Sequence, residues 1–251
     1  MTILCIETST SVCSAAVCKD GMPIKQCICR EGSNHARLLP RYIEELLSFT
    51  REQALVIDAV ALSEGPGSYT GLRIGTSTAK GLCYGLNVPL IPIPTLEVLC
   101  EAAKEQSPIT KNEVNRALAA ENNQPSILLP MIDARRMEVY TVINGETKAI
   151  VVENEESITN HPYLQIVPSG KESPITNDTA VYYFGDGAAK CANVFSLPNW
   201  HFIPDIVPEA QYVGILAENQ KSQITNQKLA YYEPFYLKEF IAAQSHVKGL
   251  K

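Results

Sequence analysis

Basic residues are scarce and scattered in this 251-residue chain: 21 Lys and Arg stand against 27 Asp and Glu, a formal net charge of −6. Arg135-Arg136 is the only adjacent pair of arginines. Gripping nucleic acid unaided takes a basic face that neutralises phosphates, so the charge argues against that role for the chain acting alone. Long apolar runs are missing too, each being interrupted well short of the roughly 18 residues that suggest a membrane span. The start, Met1-Thr2-Ile3-Leu4-Cys5-Ile6-Glu7, has no basic region and soon meets a carboxylate. It reads as a first strand and not as a signal peptide. A cytoplasmic protein without membrane contact is the expectation.

Cys-x-x-Cys is absent among the eight cysteines, and Cys5, Cys83 and Cys100 sit inside apolar patterns. Small buried thiols in a reducing compartment are favoured over a metal site at Cys27, Cys29 and His35. Side chains two apart on a strand offer only two ligands on one face. Paired histidines are also missing: His161, His201 and His246 have no second histidine at i+3 or i+4, and His35 stands at a helix cap, where histidine is more often structural. No two-histidine metal site is visible, and no Ser-His-Asp or Cys-His set assembles from spacing.

What is present is enough for a sizeable core, since 45% of residues are apolar, as one large domain or two small ones. Thr2 to Thr8 is a near-continuous apolar strand of the kind buried on both faces. Val12 to Lys19 is a second strand, turned by Asp20-Gly21 into a third from Ile24 to Arg30. Ser33-Asn34 offers cap chemistry for the next segment, where Leu38, Leu39, Tyr42, Ile43, Leu46 and Leu47 mark an amphipathic helix, with Pro40 expected in its first turn. A fourth strand spans 55–63, a helix Leu72 to Leu86, and a fifth strand Val88 to Ile93. Thr95 is the expected cap of a helix through Ala103. Glu105 to Pro125 turns polar, with a short helical patch from Glu113 to Glu121, and reads as an insertion or connection.

The second half repeats the theme with strands at Ile127 to Asp133, Met137 to Ile143, Thr147 to Val152 and Val181 to Phe184. Gly185-Asp186-Gly187 and a helix follow the last of these. Pro208 to Asn219 reads as helical and Ala230 to Phe240 as extended. The domain expectation is a lobe over 1–104, a polar insertion over 105–125 and a second, smaller lobe over 126–251. The helix within 207–222 is expected to pack back on the first lobe.

The chain's densest motif is Ser63-Glu64-Gly65-Pro66-Gly67-Ser68-Tyr69-Thr70-Gly71-Leu72-Arg73-Ile74-Gly75. Strand, glycine turn and helix start follow one another, so free N–H groups and a helix dipole make a potential anion site. It is not a Walker A loop, because no Lys-Ser/Thr follows Gly71 and Lys80 lies deep in the helix. Nor is it a dinucleotide fingerprint, the glycine spacing being one residue too long. The hydroxyl-rich turn Glu7-Thr8-Ser9-Thr10-Ser11 is either a second phosphate-binding tip or an ordinary polar turn. Gly71, Gly75 and Ala79 lie four apart on one helix face, with Gly81 and Gly85 beyond. Each helical glycine costs about 1 kcal/mol against alanine, so something approaches the backbone closely, either the lobe's own sheet or a helix of another subunit.

On four of these motifs in order, the chain resembles the TsaB (YeaZ) family of the actin/hexokinase/Hsp70-like superfamily. They are Ile3-Leu4-Cys5-Ile6-Glu7-Thr8-Ser9, His35 with Leu38-Leu39-Pro40, the stretch from Gly65 to Leu82, and Ile132-Asp133-Ala134-Arg135 with Glu138-Val139-Tyr140. Pro234-Phe235-Tyr236-Leu237-Lys238 matches more weakly. Glu7 stands where an Asp is more usual, and Lys238 where Arg is commoner. The resemblance implies an α/β, actin-like ATPase (ribonuclease H-like) fold of two lobes, each a mixed sheet with flanking helices.

The resemblance further implies a non-catalytic subunit in making N6-threonylcarbamoyladenosine on tRNAs that read codons starting with A. Its implied companions are a TsaD-like catalytic subunit and a TsaE-like ATPase, with tRNA met only through the complex and a homodimer in isolation. No catalytic or metal-binding residue is expected, and Pro92 to Cys100 holds no histidine where TsaD carries its metal-binding pair. ATP or ADP is expected only at the level of the complex, with Thr8, Ser9, Gly65, Gly67 and Ser68 as weak candidates for contact. The expected interface is His35, Leu39, Ile43, Leu46, Thr70, Gly71, Ile74, Gly75, Thr78 and Leu82. A stand-alone phosphotransferase using Glu7, Thr8 and the Gly65–Gly71 turn is the alternative, and a metallopeptidase the least favoured.

Overall fold

The computed structural model describes residues 1–32, 34–106, 126–143, 145–154, 156–159, 164–165, 172–173, 179–220 and 229–238. Strands β1 (Thr2–Glu7), β2 (Cys13–Lys19) and β3 (Met22–Cys29) form an antiparallel meander. Asp20 and Gly21 turn β2 into β3 with φ of 51° and 78°. Both angles are left-handed, as a two-residue primed hairpin turn requires. β4 (Ala59–Gly65) lies parallel to β1, and β5 (Leu90–Pro94) parallel to β4, giving the order β3-β2-β1-β4-β5. β4 starts later than its apolar run: Val56 is exposed, and of the residues leading in, Asp58 is tied to β1 by its N–H to the Thr2 carbonyl (2.8 Å).

Three helices connect these strands: α1 (His35–Glu52), α2 (Tyr69–Leu86) and α3 (Thr95–Gln106). Pro40 is the sixth residue of α1, not part of its first turn. The helix tolerates it because Pro40 and Ala36, whose carbonyl loses its usual donor, are both exposed to water. Asn34 ends the helix through its backbone carbonyl, which accepts from Arg37 and Leu38, and makes no side-chain cap bond. α3 runs three residues past Ala103. The remainder of the polar insertion, the helical patch over 113–121, Ser33, His161 and His246 lie outside the described residues.

The second lobe uses β6 (Ser126–Pro130), β7 (Ile132–Asp133), β8 (Glu138–Ile143) and β9 (Glu146–Val151). A helical turn, α4 (Glu156–Thr159), and two-residue strands β10 (Leu164–Gln165) and β11 (Glu172–Ser173) precede β12 (Ala180–Phe184). β13 (Trp200–Ile203), not anticipated from sequence, pairs parallel with β12. Only a 3-10 turn, Ala189–Cys191, follows the Gly185-Asp186-Gly187 turn, in place of the expected helix. β6 and β7 are one run broken at Met131, so the order β9-β8-β7 joins β6-β12-β13. This reproduces the 3-2-1-4-5 order of the first lobe, with the same parallel and antiparallel senses.

Alternating side chains split each sheet into two core faces. In the first lobe Leu4 and Ile6 face α1 and α2, while Ile3 and Cys5 face inward. α3 and α5 (Ala210–Asn219) fill that inner layer together with Leu128, Tyr182 and Phe184 of the second lobe. α5 packs across β1 to β4 of the first lobe. Its approach is held by the buried Glu209 carboxylate, which accepts from Arg30 (2.5 Å), Gln26, Gln106 and Gln211. The outer face of the second sheet closes on an aromatic cluster of Tyr183, Phe195 and Trp200.

Candidate functional site

Ser68 caps α2: its hydroxyl accepts from the Gly71 N–H (3.3 Å) and its own N–H donates to the Ser9 carbonyl (2.6 Å). The Thr8 hydroxyl donates to the Gly71 carbonyl at 2.9 Å. The β1–β2 turn therefore lies directly on the glycine turn, and Thr8 and Ser9 are both fully buried. A Cβ at Gly71 would stand 2.0 Å from the Thr8 carbonyl oxygen, and one at Gly67 2.2 Å from that of Ser9. Gly75 faces the Thr8 hydroxyl, 2.3 Å from a Cβ position. Among the glycine candidates for nucleotide contact, the fourth strand's Gly65 has φ +117° and backs onto the Phe235 carbonyl. Its N–H donates to the Thr95 hydroxyl at 3.0 Å, so Thr95 serves this turn as well as opening α3.

The inner side of the turn is thus filled by the chain's own backbone. A phosphate needs open space and unengaged donors at a helix start, and Thr8, Ser9, Gly67 and Ser68 are turned toward each other.

Glu7, at the end of β1, is fully buried. Its Oε1 accepts from the Ser9 N–H (2.6 Å) and hydroxyl (2.5 Å). Ser63 lies close enough to favour the charged form, yet its hydroxyl is directed to Thr95 (2.7 Å) and Glu7 Oε2 has no hydrogen-bond partner. Burial pushes the Glu7 carboxyl up, with Asp186 of the second lobe adding in the same direction. Asp186, an exposed residue, is raised by partial desolvation of its carboxyl, opposed by the Asp133 N–H it accepts at 2.9 Å. Asp133 in turn holds the Lys190 ammonium. Among the described residues, no group of three or more His, Cys, Asp and Glu side chains is placed to hold a metal ion.

The ten expected interface residues separate into two sets. Leu39 and Leu46 are fully buried, Ile43 nearly so, and all three pack in the lobe's own core with Leu4, Ile6 and Leu62. His35 is buried with Nε2 3.1 Å from the Val12 carbonyl, a structural bond that needs the proton on that nitrogen. Gly71 and Gly75 are covered by Thr8. These six are corrected to core residues, because the apolar stripe of α1 closes on its own sheet. Thr70 is exposed and Ile74, Thr78 and Leu82 are half-exposed.

Beside that second set stand Leu38 and Tyr42 of α1, half-exposed, and Tyr84 of α2, 86% exposed. A Cβ at Gly81 or Gly85 would meet nothing within 4 Å. The outer side of α2 is therefore open and low in profile around Gly81, Tyr84 and Gly85, while the outer side of α1 is charged, with Arg37, Arg41, Glu44 and Glu45 exposed. Sequence reasoning missed Tyr84, although its position between Gly81 and Gly85 was the signal.

A C-terminal strap borders this face. Lys80 donates to the carbonyls of Ala230 (2.9 Å) and Tyr232 (3.0 Å), and the Phe235 N–H donates to the Glu64 carbonyl (2.8 Å). Tyr236 lies 5.0 Å from Tyr69, whose ring carries the Arg73 guanidinium at 4.5 Å. Lys238 then reaches Glu138 of the second lobe. Lys80, the twelfth residue of α2, thus anchors the strap.

A family model described as TsaD, tRNA N6-adenosine threonylcarbamoyltransferase, matches residues 31–243. The tRNA threonylcarbamoyladenosine biosynthesis protein TsaB of Haemophilus influenzae is 34% identical over 140 residues, 56% of this chain and 52% of the relative. That of Escherichia coli is 35% identical over 140 residues, covering 56% and 53%. The chain spans about half the length of these two relatives. TsaB of Bacillus subtilis is 30% identical over 190 residues, 72% of this chain and 73% of the relative.

The solved structure of YeaZ from Pseudomonas aeruginosa superposes with a TM-score of 0.60 at 23% identity, covering 94% of this chain and 99% of that one. A second structure, described as similar to peptidase YeaZ from Pseudomonas aeruginosa, gives 0.64 at 22% identity over the same shares. They share the actin-like, ribonuclease H-like fold of two mixed sheets. Among the described residues, no helix is long and apolar enough to cross a membrane. With a family model over most of its length and a TsaB relative matched across nearly three quarters of both sequences, the chain belongs to the TsaB (YeaZ) family.

Proposed function

We propose that this protein is the non-catalytic, organising subunit of the assembly that forms N6-threonylcarbamoyladenosine in tRNAs reading codons that start with A. It works in the cytoplasm beside a TsaD-like catalytic subunit, and a TsaE-like ATPase completes the assembly. ATP or ADP enters with the assembly, tRNA is met through it, and the isolated chain pairs with a second copy. The observation that carries this reading is the filled glycine turn. A phosphotransferase turn leaves its backbone free for a phosphate, and here Gly67 and Gly71 face the carbonyls of Ser9 and Thr8 at distances no side chain could share.

What the lobe offers instead is outward: Ile74, Thr78, Leu82 and Tyr84 of α2 beside Leu38 and Tyr42 of α1. At Gly81 and Gly85 a facing helix can approach the backbone closely. The test pairs the full chain with the organism's TsaD-like subunit on a sizing column. Tyr84→Glu combined with Gly81→Glu should abolish the complex without lowering the melting temperature. Intact complex formation by that variant would remove the surface from the reading. Micromolar Mg-ATP binding or turnover of any substrate by the lone chain would favour the phosphotransferase.

A further inference from the structure

Three of the eight cysteines meet on one face of the β2–β3 hairpin. In the register of that pair Cys13 stands opposite Cys29, and Ala15 opposite Cys27. Side chains on a strand alternate, so Cys13, Cys27 and Cys29 all project toward α1. Cys13 and Cys27 belong to the core cluster under that helix, with Tyr42 packed against it. All three thiols lie near enough to the Tyr42 phenol to act on it electrostatically. Directly opposed residues of antiparallel strands have Cα atoms about 4.5–5.5 Å apart, inside the span a disulfide bridges.

We propose that Cys13 and Cys29 form an oxidation site, in which a peroxide converts the two thiols into a cross-strand disulfide. The two cysteines differ in access. Cys13 is fully buried, whereas Cys29 is half-exposed on the edge strand of the sheet, its thiol donating to the Glu31 carbonyl at 3.0 Å. Burial first, then the neighbouring Cys29 and Glu7, push the Cys13 thiol up to about 12. Cys29 is therefore the thiol that meets the oxidant, and Cys13 the one that resolves it.

The Cys29 sulfur attacks one peroxide oxygen and breaks the O–O bond. It becomes a sulfenic acid, and the other oxygen leaves as water. The Cys13 sulfur then displaces the sulfenic oxygen, its proton departing with that oxygen as a second water as the S–S bond forms. Two thiols lose two electrons in all, and one peroxide is reduced to two waters. Cys5 and Cys18 also bring their thiols together, diagonally across β1 and β2, but no oxidant reaches them. Both are fully buried beneath Gly214 of α5.

The disulfide would tie the edge strand to β2 just where the chain leaves for α1, replacing the Cys29–Glu31 hydrogen bond. The test uses the native full chain titrated with hydrogen peroxide, digested without reductant and mapped by mass spectrometry. The Cys13 and Cys29 peptides should appear linked, lighter by two hydrogens and separable by dithiothreitol. In Cys13→Ser, Cys29 should accumulate as a dimedone-trapped sulfenic acid at several times the wild-type yield. Wild-type Cys29 that is oxidised without joining Cys13, that joins Cys27 instead, or that stays reduced at peroxide levels oxidising the other thiols would overturn the proposal.

Discussion

After β4 the first lobe makes Gly65-Pro66-Gly67 and an 18-residue helix; after β12 the second makes Gly185-Asp186-Gly187 and only a 3-10 turn. Both turns lean on the end of their lobe's first strand. A Cβ at Gly67 would meet the Ser9 carbonyl at 2.2 Å, and one at Gly185 would meet that of Met131 at 2.3 Å. The chemistry laid over this shared geometry differs. The first turn is closed by hydroxyls and carbonyls and keeps a single buried carboxyl, Glu7. The second carries Asp133, Asp186 and Lys190 in one network. A common strand order thus dictates where a turn falls, while the residues in it decide whether the turn stays available to a ligand. In the first lobe they direct its long helix outward as a surface.

The largest effect should come from confusing the two sides of that lobe. Leu39→Ala removes a fully buried side chain and should lower stability by about 2–5 kcal/mol. Tyr84→Ala, at an 86% exposed position, should stay within about 0.5 kcal/mol. Urea unfolding of both would sharpen the contrast, and equal losses would break it.

Next comes the closure of the turns themselves. Gly71→Ala places a methyl 2.0 Å from backbone and should cost about 3 kcal/mol. Gly187→Ala, 2.7 Å from the Ile132 carbonyl carbon, should cost about 1–2 kcal/mol. Gly81→Ala, with nothing near, should add up to about 1 kcal/mol of stability through helix propensity. Unfolding midpoints in that order support a turn filled from within.

A smaller effect concerns two carboxyls, the fully buried Glu7 and the exposed Asp186. Loss of hydration raises Glu7 above its ordinary 4.5 and Asp186 above its ordinary 3.8. The folded protein then holds each proton more tightly than the unfolded chain does. Stabilisation from each is full below the ordinary value and is lost as pH climbs through the raised one. Glu7→Gln and Asp186→Asn should both flatten the fall in urea midpoint between pH 5 and pH 8. Glu7→Gln should do so more, because Oε2 lacks a partner while Asp186 accepts the Asp133 N–H. A steeper fall in either variant would reverse the sign argument. Smallest of all, Lys80→Met frees two carbonyls of the strap and should cost about 1 kcal/mol. Faster proteolysis within 229–238 would register it.

Much of the fold was readable in advance where a short-range rule governs it. Asp20-Gly21 predicts the hairpin because a primed turn wants two left-handed residues, and both are left-handed. The leucine spacing of α1 predicts an amphipathic helix, but a stripe says only that one face is covered, not by what. That is why Leu39, Ile43 and Leu46 read as a partner surface and proved to be core. β13 escaped notice because four residues between turns carry little periodicity, and its pairing with β12 depends on a neighbour far off in sequence. The sequence shows Lys80 only as a lysine too deep in the helix to serve a phosphate, since nothing near it announces the strap more than a hundred residues away.

By itself the sequence determined the alternation that builds each strand, the glycine positions after β4 and the net negative charge. Those follow from side-chain type and local spacing, which are written residue by residue. Only the tertiary structure decided which glycines are filled from within and which lie open. Packing distances such as Gly71 to Thr8 arise between segments that meet through the sheet, and no local pattern encodes them.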